Sequence, residues 1–85
     1  MTAVFKIPDA LHPKYRGAGL ALAAVTGGEM VNLVYLADVL PDFDGELDGV
    51  EAALTDPRLG PTVRLLQTMG ELHVGMCSCY EFVEL

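Results

Sequence analysis

Cations are scarce in this chain: five lysines and arginines face twelve aspartates and glutamates, for a net charge of −7. That balance repels phosphate backbones and argues against direct nucleic-acid binding. Long apolar runs are missing too. The longest stretch without a charge, Gly17 to Gly28, spans twelve residues before Glu29 ends it, whereas a membrane-spanning helix needs about twenty. No membrane association is expected. Met1-Thr-Ala-Val-Phe-Lys6 lacks the basic-then-apolar pattern of an export signal, which predicts a cytoplasmic protein. Cysteine is limited to Cys77 and Cys79. A bridge between them would close a tiny loop near the upper limit of disulfide geometry, which argues against a disulfide scaffold. A pair this close points instead to reduced thiols, redox chemistry or a metal.

Apolar side chains, by contrast, are abundant. The 85 residues are 52% hydrophobic and only 20% charged, and a single domain of this length, 1–85, buries a modest core. The surplus predicts apolar interfaces, and a homo-oligomer is the default expectation. Charge is distributed unevenly. Residues 1–16 carry Lys6, Lys14 and Arg16 against Asp9, a local +2, while residues 17–85 carry a local −9.

Thr2 to Ile7 is a β-rich run stopped by Pro8 and reads as a first strand. Pro13 suits the first turn of a helix, which the spacing of Tyr15, Ala18, Leu22 and Val25 carries to Val25, with Gly27-Gly28 ending it. Met30 to Leu40 is nearly continuous apolar sequence that matches both a buried strand and a helix. Its valines, tyrosine and flanking glycines favour the strand. Pro41 to Gly45 reads as a turn. Glu46 to Thr55 reads as a short helix with Leu47, Val50 and Leu54 inward and Asp48 and Glu51 at capping-box spacing. Pro61 to Met69 is a further helix closed by Gly70, and a strand runs through residues 71–85. The expected fold is thus α/β, a small two- or three-layer domain of about three mainly parallel strands in the order β-α-β-α-α-β.

The final strand holds the candidate chemistry. Alternation puts Leu72, Val74, Met76, Tyr80 and Phe82 on one face and His73, Gly75, Cys77 and Cys79 on the other. A thiolate at Cys77, with Cys79 beside it and His73 tuning it, would be a nucleophile or a sulfur carrier, provided its ordinary titration near 8.5 is lowered. The competing reading makes both cysteines small buried hydrophobes. Zinc would find its preferred side chains in His73, Cys77, Cys79 and His12, but a straight strand spreads them too far to close a tetrahedron. No metal or cofactor is expected.

Two other segments carry weaker signals. Lys14, Arg16 and Gly17 sit at the expected helix start, where an anion would relieve two cations opposed to the dipole. The order of that segment is not G-x-G-x-x-G. Asp42, Asp44, Glu46 and Asp48 crowd one loop. Counted from Asp42, the glycine and bidentate positions of a calcium loop fall on Leu47 and Ala53, which rules that loop out. The acids read as a solvated turn, or as a docking edge for a basic protein partner.

The run Arg16-Gly-Ala-Gly-Leu-Ala-Leu-Ala-Ala-Val-Thr-Gly-Gly-Glu-Met-Val-Asn-Leu-Val-Tyr-Leu-Ala-Asp-Val-Leu40 resembles the first helix and second strand of DsrE-like proteins. Leu65-Leu-Gln-Thr-Met-Gly-Glu-Leu-His-Val-Gly-Met-Cys77 is similar to that family's helix, turn and strand leading to a cysteine. The resemblance covers residues 16–80. It implies a persulfide carrier of the DsrE and TusD type, with Cys77 as carrier, Cys79 as neighbour, and oligomeric assembly. Two functional expectations follow. The first is a small thiol-based sulfur-handling protein; the second is an acidic non-enzymatic inhibitor or adaptor that binds a basic protein.

Overall fold

Gly27 and Gly28 lie at φ 61° and 78°, the left-handed region that glycine enters without steric cost. Two such residues in succession make the tight turn whose twist suits a β-hairpin. In the computed structural model they join strand β2, Leu20–Thr26, to strand β3, Glu29–Tyr35. The structure describes residues 2–11, 19–43, 49–77 and 81–85.

Around this hairpin is a five-stranded sheet completed by β1, Thr2–Val4, β4, Glu71–Met76, and β5, Glu81–Glu84. The strand order is β1-β5-β4-β2-β3, and every neighbouring pair is antiparallel. Helices α1, Leu36–Val39, α2, Val50–Leu54, and α3, Gly60–Gln67, are short, and a 3-10 turn over Pro57–Leu59 leads into α3.

The expected α/β fold with about three mainly parallel strands is therefore corrected to an antiparallel, sheet-dominated one. The main error lies in residues 20–25, expected as helix and found as strand; residues 13–18 of that expected helix lie outside the described residues. Leu20 through Val25 are all buried. A strand sandwiched between two neighbours and covered on both faces loses the alternation that betrays it, and burial overrides the helical preference of its three alanines. Gly27-Gly28, read as a helix stop, is the hairpin turn.

Residues 30–40 divide. The strand ends at Tyr35 and one helical turn follows. Residues 71–85 are likewise not one strand, because the chain reverses after Cys77 and returns as β5. The helices expected over 46–55 and 61–69 are found as α2 and α3, with residues 44–48 outside the described set.

Two cores result. On one face Leu20, Leu22, Ala24 and Leu72 pack under Leu36, Leu40, Ala53, Leu59 and Leu66 from the helices and their connections. Full burial of one leucine contributes about 1.5–3 kcal/mol. On the other face Ala21, Ala23, Met30, Leu33, Cys77 and Phe82 pack beneath a strap formed by residues 5–11, through Phe5, Ile7 and Leu11. A β-bulge lets Met30 and Leu33 share that face: Ala24 pairs with Asn32 and Val25 with Met30, leaving Val31 unpaired and half exposed.

Candidate functional site

Strand β4 carries His73, and Cys77 follows directly after its last residue. Leu72, Val74 and Met76 join the helix-side core, while Cys77 joins the strap-side core. His73 shares the strap side by alternation and meets Phe5 of the strap edge to face, with ring centroids 5.3 Å apart. His73 and Cys77 nonetheless stand four residues apart on extended chain, about 13 Å at 3.3 Å per residue. An imidazole cannot tune a thiol across that span. Phe82, placed by continuous alternation opposite His73, lies instead on the strap side with it, because β5 is a returning strand.

Cys77 is buried, and its N–H donates to the Gly19 carbonyl at 3.0 Å. Burial pushes its thiol above the usual cysteine range, and a hydrogen bond from Tyr35 offsets this only in part. A thiol in that setting keeps its proton at neutral pH and is a poor nucleophile. Within the run that resembles the first helix of DsrE-like proteins, residues 20–25 are strand β2 and not helix. Cys79 lies outside the described residues, as do His12, Lys14, Arg16 and Gly17.

His73 is only 6% exposed, and neither ring nitrogen has a hydrogen-bond partner among the described residues. Its cross-strand partner on β5 is Glu84, and Glu71 sits two residues earlier on the same face of β4. One ligand-capable atom from each of the three side chains lies within 4.8 Å of the others, with both glutamates exposed. Neither glutamate drew notice in the sequence. Glu71 was legible from its i, i+2 spacing to His73; Glu84 was not, since only the β4–β5 register brings it there.

Of the acidic loop, Asp44, Glu46 and Asp48 lie outside the described residues. Asp42 is 71% exposed at its side chain and forms an ion pair with Arg58 at 2.9 Å. Arg58 also grips Asp56 at 2.8 Å. Its hydrogen bonds hold the Asp56 carboxyl below the usual range, and those bonds with Asp56 and Asp42 keep the guanidinium firmly protonated. Exposed pairs of this kind contribute little to stability. Asp42 therefore already has an intramolecular counter-charge.

Two open clefts flank these features. One, of about 370 Å³, lies between the strap and the β2–β3 turn and presents Lys6, Asp9 and Glu29. The other, of about 190 Å³, lies over Ala52 and Ala53 beside the Arg58 cluster.

A different surface is apolar. Val4 on β1 and Val83 on β5 share the helix side of the sheet, but beyond the helices, and are 72% and 41% exposed. Leu85 continues that ladder through its N–H to the Leu72 carbonyl at 2.9 Å and is 56% exposed. Glu81, exposed at the same face, borders the strip. No helix among the described residues is long and apolar enough to cross a membrane. Comparison with known protein families finds no match for this chain, and comparison with curated proteins finds none either.

Proposed function

We infer that this chain is a non-catalytic protein-binding domain whose docking face is the strip of Val4, Val83 and Leu85, and whose partner is a basic protein. The observation that carries this reading is the exposure of those three side chains on one sheet face beyond the reach of the helices. A contiguous apolar strip on a small domain is costly to leave in water and is the usual mark of an interface. Its neighbour Glu81 and the net charge of −7 select the partner's sign: a second copy would set −7 against −7, whereas a cationic surface gains encounter rate and register. The thiol at Cys77 does not compete as the functional group, since it is buried and protonated and His73 is out of reach.

Photo-crosslinking in cells tests the reading. A photoreactive side chain at position 83 is expected to give one discrete adduct with a protein whose crosslinked peptide is rich in lysine and arginine. Val4→Glu should remove that adduct, and the same group at Asp38, exposed on α1, should not form it. Equal labelling from both positions, or an adduct between two copies of this chain, would overturn the basic-partner reading.

A further inference from the structure

We propose that Glu71, His73 and Glu84 form a binding site for one divalent transition-metal cation of the zinc class, bridging strands β4 and β5. Three features of the fold converge on it. The first is register. Residues 71 and 73 project from the same face of β4, and Glu84 stands directly across from His73 on β5, so the backbone alone brings the three side chains together. Their ligand atoms already lie within 4.8 Å of one another. Ligands 2.0–2.2 Å from a common metal sit roughly 3–3.6 Å apart, a closure within the reach of two exposed glutamate side chains turning about their own bonds.

The second feature is His73 itself. Its ring is 6% exposed, and both nitrogens are without a hydrogen-bond partner among the described residues. Buried polar groups are normally satisfied, and histidine ligands in metal sites are held by their surroundings as this ring is held edge-on by Phe5 at 5.3 Å. A cation between the three side chains would take the imidazole nitrogen that lies within 4.8 Å of both carboxylates.

Charge is the third. Among the described residues the ion pairs are those of Arg58, so the two carboxylates meet no cationic side chain. A dication would neutralise both. One imidazole with two carboxylates suits zinc, manganese or iron better than calcium or magnesium, which favour all-oxygen shells. Three protein ligands at a solvent-facing position leave room for water in the remaining coordination sites. Cys77 lies about 13 Å along the chain and takes no part.

The test is calorimetric titration of Zn²⁺ into the full chain, stripped of metal and reduced, with manganese and calcium as comparison ions. One zinc per chain is expected, bound more tightly than calcium. Glu84→Gln and Glu71→Gln alter exposed side chains and should leave the fold intact by circular dichroism. Each should weaken zinc at least as much as loss of an outer-shell partner does, about 10- to 100-fold. Glu81→Gln, on the opposite face of β5, and a Cys77→Ser/Cys79→Ser double variant should bind zinc as the parent does. On zinc addition the His73 imidazole resonances should shift in the parent and in the cysteine variant alike. Absence of stoichiometric zinc binding, loss of it in the cysteine variant, or equal weakening by Glu81→Gln would each overturn the site.

Discussion

The two faces of the sheet are built from different residues. Under the helices lie Leu20, Leu22 and Leu72; beneath the strap lie Ala21, Ala23 and Phe82, together with His73 and Cys77. Three helices with their connections supply enough apolar surface to cover leucines. A strap of seven residues supplies less, so the central strand beneath it presents Ala21 and Ala23, and the larger Met30, Leu33 and Phe82 of β3 and β5 fill the space. Room for the Phe82 ring comes from Gly75, its cross-strand partner, where an added Cβ would stand 2.7 Å from the phenyl carbons. The lesson is a division of labour. The helix side holds only apolar groups in its buried core, while the one buried polar side chain among the described residues, His73, sits under the strap.

The sharpest way to break that contrast is to empty one side at a time. Phe82→Ala should cost about 3–5 kcal/mol and Leu66→Ala about 2–5 kcal/mol in urea unfolding. Comparable losses would make the strap side a full half of the core. A cost below about 1 kcal/mol for Phe82→Ala, with Leu66→Ala unchanged, would mean that the strap is not packed there. Next comes the turn on which both faces depend. Gly28→Ala forces a side chain into φ 78° and should cost about 1–2 kcal/mol by thermal melting.

The smallest effect is electrostatic and belongs to the strap side alone. Burial raises the Cys77 thiol above its unfolded value, with Tyr35 offsetting part of the rise. The native state therefore keeps this proton after the unfolded chain has released it. Stability from the buried thiol is whole below the unfolded value, about 8.5, and declines as pH rises past it. Urea midpoints at pH 7 and 9.5 should fall further for the parent than for Cys77→Ala. An equal fall in both would show that the thiol is not buried.

Several things were legible from composition and spacing alone. The lack, among the described residues, of a helix long enough to cross a membrane follows from run length. Helices near 50–54 and 60–67 follow from apolar spacing closed by Asp56-Pro57 and Gly70. The split of residues 72–77 into two faces follows from alternation, because a strand has no other way to arrange successive side chains. Residues 20–26 were not legible: an alanine-rich run buried on both faces has neither a helical nor a strand period, and only its two partners make it a strand. The reversal after Cys77 was equally hidden, and with it Phe82 and Glu84.

The sequence by itself determined which side chains share a face of β4, since that depends on neighbours two residues apart. Tertiary structure alone decided that His73 meets Glu84 rather than Cys77, and that Cys77 is buried against Tyr35. Those pairings rest on strand order and register, which are set by how distant segments bury their apolar surface together.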